Sequence, residues 1–289
     1  MRLVSTFILI LTIFGCNREA EVPKYIRIES VEFEETGPNS NGGANIPDAW
    51  IYLNDQEAGV FELPCEVAVL NSSPVDIKVR AGIKLNGISN TREAYTFYNT
   101  WEGGDIELYE DSVITLTPTV TYNSVVQDPW NEDFEDGVLT IDTVSSSDVG
   151  MDRIQTTSSY PDFTNNYVAF SELTADKPGL KLMTKEGYVL PKTGEKIFLE
   201  LDYKVDQEFA ISIIYDLIDS PPNEVLLLTL RPIINADGSA AWNKIYLELT
   251  DVIFEFSSSP DYSFAITALH DGSSESAEMY FDNLKLVHG

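Results

Sequence analysis

A chain of 289 residues, 43% of them apolar, is long enough for two ordinary domains and apolar enough to exclude wholesale disorder. Its 47 acidic residues against 18 basic ones give a net charge of −29. That argues against DNA, RNA and anionic membrane surfaces as partners, because phosphate binding needs clustered Lys and Arg; it suits a solvated acidic surface first and cation binding second. The cysteines are Cys16 and Cys65 alone, so a four-cysteine zinc site is excluded, and processing at Cys16 leaves no internal disulfide.

At the amino terminus Arg2 precedes "LVSTFILILTIF", an uncharged run shorter than the roughly 20 residues that span a bilayer as a helix. It has the length and flanks of a secretory signal. Ile13, Phe14, Gly15 and Cys16 close it and resemble the bacterial lipobox, with the bulky Phe14 departing from the pattern. The resemblance implies cleavage after Gly15, removing 1–15, and thioether lipidation of Cys16. Each acyl methylene contributes about 0.8 kcal/mol, so two or three chains anchor a protein stably. The alternative is an ordinary signal peptide with an incidental cysteine. Residues 16–23 then read as a lipidated tether, and its acidic residues resemble the surface-export signals of Bacteroidota lipoproteins. The expected location is the outer membrane, lipid-anchored, facing the periplasm or the cell surface.

The first domain is expected over 24–123. "YIRIESVEFEE" (25–35) reads as a strand and "GPNSNGGAN" (37–45) as a loop. In the stretch that follows, Asn54 and Asp55 mark a turn between two apolar runs. Ile77 and Val79 alternate with Lys78 and Arg80, which predicts a strand buried on one face. The strand, the turn, Gly59, Pro64 and the closing Gly82 resemble PEGA-like and transthyretin-like sandwich modules. That resemblance implies an extracytoplasmic spacer or binding domain without catalytic residues. Tyr95, Phe97, Tyr98 and Trp101 crowd together; they read as a sandwich core with an edge, or as an apolar platform for sugar rings. Cys65 reads as a small buried hydrophobe.

"NSVVQDPW" (123–130) carries turn chemistry, and the second domain is expected over 128–289. In "KIFLELDYKV", Ile197, Leu199, Leu201, Tyr203 and Val205 face one way. Lys196, Glu200, Asp202 and Lys204 face the other, with Phe198 the apolar exception. "FAISIIYDL" and "EVLLLTLRP" read as strands buried on both faces. Asp–Gly turns follow at 237–238 and 271–272. Near the end, period two turns Leu284, Leu286 and Asp282 to the core and Lys285 outward. A buried Asp282 needs a basic side chain, backbone amides or a cation. The pattern is all-β, two sandwiches in series.

"WNEDFEDG" (130–137), "WNKIYLELT" (242–250) and the terminal "YFDNLKLV" (280–287) resemble galactose-binding-like jelly rolls, a fold shared by many carbohydrate-binding modules. The resemblance implies a structural Ca²⁺ with Glu132 or Glu135 and Asp282 as ligands. The loop "SSYPDFTNNY" (158–167) offers Tyr160, Phe163 and Tyr167 for stacking, and Asp162, Asn165 and Asn166 for sugar hydroxyls.

The chain has two histidines, His270 and His288, and no G-x-S-x-G, H-E-x-x-H, P-loop or G-x-G-x-x-G pattern. Acidic pairs are too frequent to point to acid–base chemistry. The expectation is a non-catalytic, lipid-anchored glycan-binding protein with a polysaccharide partner. The alternative is a structural lipoprotein docking an envelope protein, and a glycan-active enzyme is the remote third.

Overall fold

A computed structural model describes residues 22–34, 44–70, 73–156, 166–217 and 221–289. Cys16, with the rest of the amino-terminal segment, lies outside them. The described chain is built from strands, with one six-residue helix, Thr250–Glu255. No described helix is long and apolar enough to cross a membrane.

The N-terminal sandwich has a five-stranded sheet in the order Gln56–Glu62, Asp48–Leu53, Val75–Lys84, Arg92–Ala94, with Trp101–Ile106 also paired to Val75–Lys84. A three-stranded sheet of Cys65–Val69, Lys24–Ile28 and Val113–Leu116 shares its core. Asn54 and Asp55 take φ of 51° and 61°, the left-handed pair that a tight hairpin requires. Ile51, Ile77 and Val79 are fully buried on one face, as the alternation predicts, leaving Trp50, Tyr52, Lys78 and Arg80 on the other. Gly82 is demanded by packing: a Cβ there would stand 2.8 Å from the Asp48 Cβ and 3.0 Å from the Trp50 ring.

The C-terminal sandwich sets a six-stranded sheet against a five-stranded one around a separate core. The first runs Asp152–Gln155, Tyr167–Thr174, Ser276–His288, Ile197–Val205, Asn243–Glu248, with Gln127–Glu132 also on Ser276–His288. The second runs Ile141–Thr143, Gly179–Thr184, Tyr262–Leu269, Phe209–Tyr215, Asn223–Leu230. Two expectations fail here. Asn223–Leu230 is an edge strand with Leu226 59% exposed, so its apolar run is not buried on both faces. Asp282 does not point into the core, because Asn283 takes a φ of 47° and the register slips between Glu200 and Asp202. This bulge puts both Phe281 and Leu284 in the core and leaves Asp282 across from Asp202 on the opposite face.

Part of that opposite face is covered by the N-terminal sandwich. Phe198, Tyr246 and Val287 belong to the N-terminal core, which explains the apolar exception in "KIFLELDYKV". Phe198 meets Tyr95 edge-on at 5.1 Å and Phe97 at 5.9 Å. Burying such a side chain is worth about 1.5–3 kcal/mol. Tyr95, Phe97 and Tyr98 are therefore core, and they join the two sandwiches; Trp101 is half-buried at the edge. Glu200, fully buried, accepts hydrogen bonds from Tyr95 Oη at 2.5 Å and Tyr122 Oη at 2.8 Å, and pairs with Lys244 Nζ at 3.2 Å. Tyr98 and Tyr246 share a hydroxyl contact of 3.0 Å. The backbone joins in: Asn86 donates to the Tyr246 carbonyl at 2.9 Å, and Glu248 donates to Asn86 Oδ1 at 2.8 Å.

Burial pushes the Tyr95, Tyr98 and Tyr122 phenols well above their usual 10.0, with the Glu200 charge adding to it. Burial works to lower the Lys244 ammonium, but Asp202 and Glu200 overcome it and hold its pKa above 10.5. All four groups bind protons more tightly folded than unfolded. Their contribution is therefore complete below pH 10.0 and is lost as pH rises toward the folded pKa values. Urea titrations across alkaline pH should show stability falling from about pH 10 upward, with the seam tyrosines ionising only as the chain unfolds. Seam tyrosinate absorbance appearing near pH 10 in a still-folded protein would contradict this seam.

Candidate functional site

The exposed face of the N-terminal five-stranded sheet carries an open cleft of about 520 Å³. It arises where the Val75–Lys84 strand changes neighbours. Residues 75–79 pair with Trp101–Ile106, residues 82–84 pair with Arg92–Ala94, and the connection between those two strands stands clear of Arg80. Tyr52, Lys78 and Arg80 line the sheet side of the cleft. The other side is Thr96, Tyr98, Asn99, Thr100 and Asn123.

The connection is held by its own polar groups. Asn99 Oδ1 accepts from Thr121 N at 2.7 Å, and Asn123 Nδ2 donates to the Thr96 carbonyl at 2.9 Å. Lys78 Nζ is 2.6 Å from Asp55 and 3.7 Å from Asp76. The Asp55 hydrogen bond is the main cause of its raised pKa. The Arg80 guanidinium has no hydrogen bond or ion pair among the described residues, though its backbone pairs with Trp50. Half-buried tyrosine, free guanidinium, amides and a threonine hydroxyl give a surface that stacks on C–H-rich rings and bonds hydroxyls. Among the described residues Asp55 is the one carboxylate lining the cleft.

A second aromatic group lies on the C-terminal six-stranded sheet beyond the seam. Phe170 and Trp242 flank Tyr280 at 5.0 and 6.3 Å. Tyr280 is only 4% exposed and its hydroxyl is given to Glu278, so little ring is open to a ligand.

Of the loop residues predicted to contact sugar, Tyr160, Asp162, Phe163 and Asn165 lie outside the described residues. Asn166 and Tyr167 are described, and both are tied to Glu135. Glu135 accepts from Asn166 N and Tyr167 N at 2.9 Å each and from Asn166 Nδ2 at 3.0 Å. The Arg153 guanidinium covers one face of the Tyr167 ring at 3.3 Å. Glu132 spends its oxygens on Phe134 N at 3.0 Å and on Thr140, through its amide and through Oγ1 at 2.7 Å. Asp282 accepts from Asn283 N at 2.7 Å. Among the described residues no three His, Cys, Asp or Glu side chains converge to hold a metal.

Tyr52, Arg80, Asn99, Thr100 and Asn123 escaped the sequence reading. One signal was present: in "AWIYLN" the aromatics Trp50 and Tyr52 occupy the strand face where period two calls for polar residues. Among the described residues neither histidine meets a nucleophile. His270 Nδ1 accepts from Gly272 N, and His288 Nδ1 lies against the Gly289 carbonyl. The Cys65 thiol is raised by burial, which suits a packing role.

No protein-family model and no curated protein matches the chain. Similar solved structures include the carbohydrate-binding and GH10 modules of Clostridium thermocellum xylanase 10B complexed with xylohexaose (12% identity, TM-score 0.38). That match covers 56% of this chain and 28% of the other. TmCBM61 in complex with β-1,4-galactotriose matches at 9% identity and TM-score 0.36, over 56% of this chain and 99% of its own. The K3 cleaved adhesin domain of Lys-gingipain from Porphyromonas gingivalis matches at 13% and 0.36, over 57% and 99%.

With no three carboxylate, imidazole or thiol groups converging among the described residues, EDTA should leave the melting temperature unchanged. A drop of several degrees, restored by Ca²⁺, would reveal a cation held by other groups.

Proposed function

We propose that this chain is a membrane-anchored, extracytoplasmic, non-catalytic glycan-binding accessory protein. The cleft over Tyr52 carries the reading. It combines an aromatic ring, a free guanidinium, amides and hydroxyls on a rigid sheet, with a single, already paired carboxylate. The lipobox-like run ending at Cys16 supports anchoring through lipid, and the short acidic tether after it supports display away from the membrane. Binding here places the ligand on the N-terminal sandwich, not on the C-terminal loop that the sequence favoured.

The alternative, protein docking, has its own observation. Met183, Ala265, Ser212 and Leu226 form one cross-strand row on the outer face of the C-terminal five-stranded sheet, with Met183 36% and Leu226 59% exposed. Ala265 and Ser212 are buried between them, so Met183 and Leu226 are the two apolar side chains this row presents to a partner.

A glycan array of plant, host and microbial saccharides, probed with the full processed chain, separates the two. Saturable binding to a defined saccharide, weakened tenfold or more by Tyr52→Ala without loss of fold, is the expected result. No binding to any saccharide would move the function to the Met183–Leu226 face.

A further inference from the structure

In a chain with 47 acidic residues against 18 basic ones, a guanidinium that meets no carboxylate stands out. Arg27, Arg92 and Arg231 are each ion-paired, and Arg153 donates to the Phe134 and Glu135 carbonyls. Arg80 is the one described arginine whose guanidinium has no partner among the described residues. The carboxylates of the adjoining strand positions are already committed. Asp55 and Asp76 are taken by Lys78, and Asp48 by Arg92. The neighbour of Arg80 two residues along its own strand face is the Lys78 ammonium, which offers it nothing.

A planar guanidinium presents parallel N–H donors that match the two oxygens of a carboxylate, and such charge-assisted pairs are about twice as strong as neutral hydrogen bonds. Arg80 is half-buried and lines the Tyr52 cleft. Trp50 pairs with Arg80 and Tyr52 with Lys78, so Tyr52 and Arg80 are diagonal cross-strand neighbours, about 7–8 Å apart. A sugar ring resting on Tyr52 therefore brings a group at its rim to the guanidinium. Across the cleft, Asn99 uses its Oδ1 on Thr121 N and keeps its amide N–H group, and the Thr100 hydroxyl has no partner among the described residues. Both answer ring hydroxyls. Repulsion of an anion by the net charge of −29 is screened beyond about 8 Å at physiological ionic strength, which leaves the contact inside the cleft to decide.

We infer that the cleft takes an acidic sugar, a uronic acid residue of a glycan, stacked on Tyr52 with its carboxylate forked onto the Arg80 guanidinium. This rests on the glycan-binding reading and gives that site its ligand class.

The test is calorimetry on the full processed chain, at about 0.15 M salt, with galacturonate, glucuronate and mannuronate oligosaccharides. The same oligosaccharides with each carboxylate reduced to the primary alcohol serve as neutral counterparts. Wild type should bind at least one uronate, and bind its reduced form about tenfold more weakly or worse. Arg80→Gln should lose that discrimination, binding the uronate about as weakly as wild type binds the reduced form. Its melting temperature should equal that of wild type, because the guanidinium makes no polar contact in the fold. Arg80→Lys keeps the charge without the fork and should recover only part of the affinity. Equal wild-type affinity for the acidic and reduced forms, binding confined to the reduced forms, or uronate binding untouched by Arg80→Gln would each overturn the inference and leave the glycan-binding reading standing. The wild-type comparison decides without any variant. If wild type binds no saccharide, acidic or neutral, both fall.

Discussion

A single buried carboxylate organises the molecule. Glu200 sits on the outer face of a sheet, where alternation alone would leave it in water, yet it has no exposed surface. Two tyrosine hydroxyls from the N-terminal sandwich and an ammonium from the neighbouring strand replace its hydration. A carboxylate stripped of water is tolerated only when its partners are in place, and losing a partner of such a pair costs about 3–5 kcal/mol. The two sandwiches are therefore not beads on a string. Separating them would expose the aromatic ring contacts around Phe198 and leave Tyr95 and Tyr122 without their acceptor.

This seam decides where a ligand can go. It occupies part of the outer face of the C-terminal six-stranded sheet, and the remaining aromatics there are largely spent on one another. It also fixes the connection after Ala94, because Tyr95 and Tyr98 within it are locked against Phe198 and Tyr246. The same connection forms the far side of the Tyr52 cleft. Packing between sandwiches thus preorganises a polar surface on one of them, which lowers the ordering cost of binding.

Much of the architecture was legible in the chain. Period two in "KIFLELDYKV", the Asn54–Asp55 turn and the Lys78/Arg80 alternation follow from local chemistry, and the strands formed where they predicted. What escaped was non-local. Phe198 was visible as an oddity, but no local rule says that Tyr95 comes from a hundred residues upstream to cover it. Asp282 was placed on the wrong face because one left-handed residue, Asn283, resets the alternation, and Asn adopts that conformation without any mark in the hydrophobic pattern. The cleft was missed for a similar reason. Its residues come from two strands, the Asp55 turn, one connection and Asn123, and together they form no motif. Trp50 and Tyr52 on a nominally polar face were the one local sign.

A ligand stacked over Tyr52 lies beside Trp50 on the same strand face, and the indole N–H signals report on it directly. The chain has four tryptophans, so each indole N–H of a nitrogen-15-labelled sample is separately assignable. Titration with a saccharide found to bind should shift the Trp50 indole resonance most and leave that of Trp242 in place. A shift at Trp242 with Trp50 unmoved would put the ligand on the C-terminal sandwich and contradict the account.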